Sequence, residues 1–349
     1  MSYLRTLRHE ILYEQAPIFL CVLSLAFFAS NWQHDISVLS ANAFPLANVS
    51  ASLWHLIAAG FVTGYATALV GQGAGILILP YQMSVLHFTA ASVTPTTLLI
   101  TLINPIGALL GFIRSRQINW LLAFYVCLGG VLGSVAGSAI RVTLLADPQV
   151  FKAAIGLMLT ITGVQLLGVS LKRYRQEGIS KAGQAVANGG ERTLAVETLF
   201  HHWRTITVGA EGSRWSFAPW LLVAIGFAVA VFSSAIGIGG GVLLVPIFTL
   251  AYALPMSVIV AISIPYVIVM SLASILSYAL VLPLLGQTWL TPELSWGLLV
   301  AAGGITGSWC ASKSQRFLPE TGLQLVLGVM TLCIGASYAI GLIGSFFRS

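Results

Sequence analysis

A glycine knot inside hydrophobic sequence constrains this chain more than any other feature, and it occurs twice. Gly237, Ile238, Gly239, Gly240 and Gly241 run into Val242–Val245 and Pro246. Gly71, Gln72, Gly73, Ala74 and Gly75 run into Ile76–Leu79 and Pro80. The pairs Gly71/Gly237, Gly73/Gly239, Gly75/Gly241 and Pro80/Pro246 share one constant spacing, and Gly60 and Gly226 share it too. Glycine costs a helix about 1 kcal/mol relative to alanine. Lipid cannot satisfy the backbone groups that such a break frees, so the break survives only where protein or a water-filled cavity lines it. Paired interruptions at corresponding positions of two halves are the sequence mark of a transporter's binding site.

Composition sets the solvent. Charged residues make up 7% of the chain and hydrophobic residues 57%, against about 25% charged in soluble domains. The partner of such a chain is the lipid bilayer. The net charge of +6 does not indicate nucleic acid. Seven of the sixteen Lys and Arg residues fall between Lys172 and Phe217, and most others flank hydrophobic runs, as the positive-inside rule expects. Cys21, Cys127, Cys310 and Cys333 stand apart in hydrophobic segments and read as small core residues.

In chain order, Ala16–Ser30 reads as an uncleaved anchor, with Arg5 and Arg8 before it on the cytoplasmic side. Asn31–Ser52 is a polar loop without Lys or Arg. Leu53–Val70 leads into the first knot. Ile76–Leu86 after it is about 17 Å long as a helix, too short to cross a hydrocarbon core of about 30 Å. It is therefore expected to form a re-entrant or broken hairpin. Ala91–Ile113, Trp120–Ile140 and Phe151–Ser170 are three crossings. In the second half, Trp220–Ile236, the second knot and Val242–Leu254 form the hairpin. Met256–Leu282, Ser295–Ala311 and Leu323–Phe346 then cross. A second match pairs Gly129-Gly130-Val131-Leu132-Gly133-Ser134 with Gly303-Gly304-Ile305-Thr306-Gly307-Ser308, at a slightly longer spacing. Three crossings per half is an odd number, so the second half enters the membrane upside down.

The expected fold is an all-α polytopic membrane protein with seven full spans. It has two inverted repeats, each a glycine-broken re-entrant hairpin plus three transmembrane helices, and an extra N-terminal helix. Residues 1–52 carry the anchor and external loop, 53–171 the first repeat, 172–217 a cytoplasmic linker and 218–349 the second repeat. In the linker, Val196, Leu199, Phe200 and Trp203 have the spacing of a short surface helix, with a flexible linker as the alternative. Arg141 and Lys152 fall outside and break the charge rule. Trp32, Trp54, Trp120, Trp220, Trp289, Trp296 and Trp309 sit near the span ends, as an aromatic belt would.

A half-helix starting at Ala74 or Gly240 would present free N–H groups and its positive dipole end to an anion. Two such ends from opposed halves would enclose one small anion, with Gly71, Gln72, Gly73, Ala74, Gly75, Gly237, Gly239, Gly240 and Gly241 as its cradle. Close helix packing is the competing reading of the same glycines. Thr97, Thr101 and Asn104 share one face of the next span, and Ser263 and Tyr266, with Ser274 and Ser277, share the matching face of its counterpart. Thr97 and Ser263 correspond at the same spacing as the knots. Gln72 stands where the second knot has Ile238, which makes the site asymmetric. No Asp or Glu lies in the middle of a span, which argues against a cation path. His55 and His87 flank the first hairpin as interfacial residues. No catalytic residues, metal ligands or cofactors are expected.

The Gly-x-Gly-Gly-Gly knot running into Leu243-Leu244-Val245-Pro246, its earlier copy, and Ala261-Ile262-Ser263 resemble the sulfite exporter TauE/SafE family over roughly residues 53–345. The resemblance implies a permease for small sulfur oxyanions or organosulfonates in a prokaryotic plasma membrane, the inner membrane of a Gram-negative cell. The function expected is secondary transport of a small anion by alternating access around the paired broken helices. The rivals are a structural membrane subunit of a larger complex and an intramembrane redox enzyme. A homo-oligomer is compatible with the sequence.

Overall fold

A computed structural model describes residues 19–25, 41–44, 49–69, 73–88, 90–107, 118–181, 197–202, 205–210, 213–252, 256–286, 290–314 and 320–346, with the isolated positions 109, 113 and 254. Residues 19–25 of the expected anchor are helical. Within the polar loop that follows, β1 (Ala41–Phe44) and β2 (Val49–Ser52) pair antiparallel. The first half then contains α1 (Leu53–Leu69), α2 (Gly75–Pro80) with its π-helical continuation Tyr81–Val85, α3 (Val93–Ile103), α4 (Trp120–Thr143) and α5 (Pro148–Lys181). An antiparallel meander β3 (Glu197–His202), β4 (Thr205–Ala210), β5 (Ser213–Phe217) joins the halves. The second half contains α6 (Pro219–Ile236), α7 (Gly241–Tyr252), α8 (Met256–Leu276) with its extension to Leu284, α9 (Leu294–Ser314) and α10 (Glu320–Phe346).

Five helices among the described residues are long and apolar enough to cross a membrane: Trp120–Thr143, Pro148–Gly168, Pro219–Ile236, Ile262–Leu284 and Leu294–Ala311. Four of these meet segments read as full spans, and the fifth, Pro219–Ile236, is the arm read as part of the second hairpin. α3 breaks at Asn104–Pro105 and resumes at Ile106, because proline removes a helix hydrogen bond and crowds the preceding turn. In α10 the apolar stretch within the described residues is Leu325–Ile340.

The halves interlock instead of sitting side by side. α1 packs along α9, α4 along α6, and α5 along α10. Glycines set the first two interfaces. A Cβ at Gly60 would overlap the Val300 carbonyl, and one at Gly226 would overlap the Val126 carbonyl. One at Gly303 would lie 2.9 Å from Phe61 N, and one at Gly129 2.7 Å from Phe227 N. Every member of one contact maps to its counterpart by one of the two spacings read from sequence. Residue numbers rise together along α1 and α9, and along α4 and α6. They oppose along α5 and α10, where Gly156 meets Tyr338, Gly163 meets Leu332 and Gly328 meets Leu167.

Three sequence expectations need correction. Of the surface helix expected from Val196, Leu199, Phe200 and Trp203, Leu199 and Phe200 lie instead in strand β3, and Val196 and Trp203 lie outside the described residues. Thr205-Ile206-Thr207-Val208 alternates polar and apolar residues in β4, and Ile206 and Phe217 are buried. That two-residue period outweighs the helical spacing. α5 continues as helix to Lys181, well into the expected linker. Trp296 is not a belt residue: it is fully buried, with Phe44 edge-on at 5.1 Å and Phe88 at 6.0 Å. Trp54, Trp120 and Trp220 do face outward, at 58–70% exposure.

Candidate functional site

α6 stops at Gly237, which adopts φ +93° and donates its N–H to the Ser233 carbonyl at 2.7 Å. Gly239 follows at φ +88°. Both angles lie in the left-handed region that only glycine enters without strain. The chain then turns into α7, with Leu244 N bonded to Gly240 O at 3.0 Å. In the first knot, Gly71 and Gln72 lie outside the described residues. The Ala74 carbonyl accepts from the amides of Leu77 and Ile78 at 3.2 and 3.1 Å, starting α2. Gly73, Ala74, Gly75 and the run Gly237–Gly241 are all buried.

The two knots touch. A Cβ at Gly75 would lie 2.5 Å from the carbonyl carbon of Ile238 and 2.8 Å from its Cα. One at Gly239 would lie 3.8 Å from Gly73 Cα. Two helix starts, one from each half, therefore meet back to back.

α3 forms one wall, and its polar face is longer than the sequence spacing suggests. Thr94 packs against Gly237, within 3.1–3.2 Å of where a Cβ would stand. Thr97 Oγ1 lies 2.6 Å from Gln82 Oε1 and 2.8 Å from Val93 O, and its single proton serves one or the other. Thr101 Cγ2 faces Gly239 at 3.2 Å, and its hydroxyl lies 3.3 Å from Ser271 Oγ. Asn104 closes the row, its carboxamide against Gly304 and its carbonyl accepting from Ser308 Oγ at 3.1 Å. Both polar atoms of the Asn104 carboxamide lack a partner.

The opposite wall differs from the expectation. The Tyr266 ring fills the space that a Cβ would take at Gly240, so that glycine faces protein and not an open approach. The same ring lies 2.7 Å from the Cβ position of Gly130, and its hydroxyl donates to Gly226 O at 2.8 Å. Gly130 and Gly240 are the two sides of a slot for one aromatic ring. Ser263 is buried on the same helix. Ser277 does not join the row: its hydroxyl pairs with Ser138 at 2.5 Å. His55 pairs with Tyr81 at 2.5 Å, away from the knots.

The fold brings here four residues that sequence reasoning missed. Gln82 is buried, and its Nε2 has no partner. Ser233, whose carbonyl caps Gly237, is buried with its hydroxyl unpartnered. Thr94 carries no sequence signal of its own. Arg141, expected in an external connection, is buried instead. Its Nε donates to Thr94 Oγ1 at 3.0 Å, its Nη1 to Leu145 O, and its guanidinium lies 3.8 Å over the Phe151 ring. Its violation of the charge rule is the signal that could have found it. No group of His, Cys, Asp and Glu among the described residues is arranged to hold a metal.

The family model described as sulfite exporter TauE/SafE matches residues 4–166 and 56–338. The chain is 22% identical over 291 residues to the probable membrane transporter protein YunE of Bacillus subtilis (strain 168), covering 80% of this chain and 94% of that protein. No solved structure matches.

Proposed function

The chain belongs to the sulfite exporter TauE/SafE family, and from that premise we propose that this multi-pass membrane permease carries a small oxyanion, sulfite or an organosulfonate, through the contact between its two glycine knots. One observation carries the reading: the knots meet among buried hydrogen-bond donors that have no acceptor. Gln82 Nε2, Ser233 Oγ and Asn104 Nδ2 are each buried and unpartnered. A buried donor left unsatisfied costs about 1–3 kcal/mol, and an oxyanion offers several acceptors at once. The helix starts after Ala74 and Gly240 add backbone N–H groups and the positive ends of their dipoles. Gly73, Gly75, Gly237, Gly239 and Gly241 shape the passage, with Thr97, Thr101, Ser263 and Tyr266 on its walls; Gly71 and Gln72, assigned to the same knot from sequence, lie outside the described residues.

The way the halves interlock supports alternating access. α5 and α10 are the last span of each half and run antiparallel against each other. Such a pairing of equivalent helices supports a two-fold axis in the membrane plane, hence an inverted repeat. The closed packing around Gly240 corresponds to an occluded arrangement, and rocking of one half on the other would open it to either side. The membrane would be a prokaryotic plasma membrane.

Purified chain in proteoliposomes tests this. Saturable flux of labelled sulfite, competed by an organosulfonate and unaffected by divalent cations, is the expected result. Saturable nickel or cobalt flux indifferent to sulfite would refute the anion assignment.

A further inference from the structure

We propose that Arg141 is the charge-selecting residue of this pathway, receiving the oxyanion at the rim of the second knot. The inference rests on the permease reading above and adds to it the positive charge that the knots lack. Arg141 stands in the last turn of α4 and is 3% exposed. Its surroundings hold it without neutralising it. Nε is fixed on Thr94 Oγ1 at 3.0 Å, Nη1 is fixed on the Leu145 carbonyl, and the face of the fork rests on Phe151. No carboxylate among the described residues pairs with it. Nη2 makes no hydrogen bond to any described residue, and it is not among the polar atoms sealed off inside the protein. A buried guanidinium without a counter-ion is expensive, and an incoming anion offsets that cost.

The position links this charge to the knot. The Thr94 hydroxyl that orients Arg141 belongs to the residue whose Cα, carbonyl and Cγ2 wall Gly237 at 3.1–3.2 Å. An anion bound to Nη2 would therefore lie next to the turn that ends α6. The planar fork of arginine suits a polyatomic oxyanion with two neighbouring oxygens better than a spherical halide. The selected substrate class is accordingly a tetrahedral or pyramidal oxyanion, with chloride a poor competitor. At the spacing that relates Gly129 to Gly303, the counterpart of Arg141 is Gln315, with Lys313 and Arg316 beside it in the sequence. A residue serving only to cap the α4 carbonyls would also favour a positive charge there, so the test must read anion binding and not stability alone.

The test is calorimetric titration of sulfite and of chloride into the detergent-purified full chain, wild type and Arg141→Gln, beside proteoliposome flux. Arg141→Gln keeps a planar amide able to reach Thr94 but removes the charge. The expected result is a tenfold or greater loss of sulfite affinity in a protein that remains monodisperse. Sulfite affinity within twofold of wild type overturns the inference while leaving the permease reading intact. Failure of the wild type to bind or transport any sulfur oxyanion overturns both. If Arg141→Gln does not purify folded, Arg141→Lys decides. It retains the charge but not the fork, so sulfite affinity should fall at least threefold with chloride binding unchanged, and unchanged sulfite affinity overturns the inference.

Discussion

Replacing Gly240 by alanine asks whether that glycine exists for a ring or for a ligand. The added Cβ would overlap Tyr266 Cε1 and stand 3.1 Å from both Tyr266 Cδ1 and Met270 Sδ. The ring has no room to retreat. On its other side a Cβ position at Gly130 is already 2.7 Å from Cε2, and the hydroxyl is tied to Gly226 O at 2.8 Å. Overpacking of this kind typically costs about 1–3 kcal/mol, and loss of the hydroxyl bond adds about 1 kcal/mol. Gly240→Ala should therefore destabilise by about 2–4 kcal/mol, summing those two terms. Tyr266→Ala alone empties a fully buried aromatic site and should cost about 3–5 kcal/mol. In that background the alanine at 240 meets Met270 Sδ, at 3.1 Å, but no ring, and should cost much less, giving a large coupling energy in the double-mutant cycle. The assay is thermal or denaturant unfolding of the four purified proteins in one detergent, with sulfite flux measured alongside. If Gly240→Ala leaves the unfolding midpoint unmoved, or costs the same with and without Tyr266, the slot is not what glycine serves at this position.

Two further outcomes follow from the interlocked halves. Gly60→Ala and Gly226→Ala each push a Cβ into a carbonyl of the facing helix, Val300 and Val126 respectively. Both should lower stability by about 1–3 kcal/mol and by nearly equal amounts; a large inequality in their unfolding midpoints would break the two-fold correspondence. Single cysteines in a cysteine-free background at Ser180 and Ser314 should label only from the cytoplasm, and one at Ser37 only from outside. Labelling of positions 37 and 180 from the same face of intact cells or vesicles would end the inverted topology.

Helices are legible where one physical constraint dominates. The expected Trp120–Ile140 meets a helix at Trp120–Thr143, and the expected Met256–Leu282 one that runs to Leu284, because the membrane demands a long apolar run with every amide satisfied. The repeated glycine spacing is legible for a related reason: glycines that face a carbonyl across a helix pair tolerate no side chain, so they persist in both copies. The β3–β5 meander is obscured because Leu199, Phe200 and Trp203 happen to share a helical face, while the signal that prevails lies in the alternation after Thr205. Arg141 is hidden for another reason. Its nearest sequence context is the short 144–147 connection, and nothing local reveals that Phe151 and Thr94 fold over it.

The glycines themselves admit two readings, packing and site, and what stands opposite each one separates them. At Gly60, Gly226, Gly303 and Gly129 the space beyond glycine holds a backbone carbonyl of the facing helix: Val300, Val126, Ile57 and Val223 respectively. Those glycines bring backbones together, and shape alone accounts for them. Within the knots the neighbours are of another kind. Gly75 faces the other knot, Gly237 and Gly239 face the hydroxyl-bearing Thr94 and Thr101, and Gly240 faces a tyrosine. The Thr94 and Thr101 hydroxyls have partners, Arg141 Nε and the Leu98 carbonyl among them; Gln82 Nε2, the Asn104 carboxamide and the Ser233 hydroxyl have none, and those are a standing cost to a scaffold. On the permease reading proposed above, that cost is lifted when an acceptor of hydrogen bonds arrives between the halves.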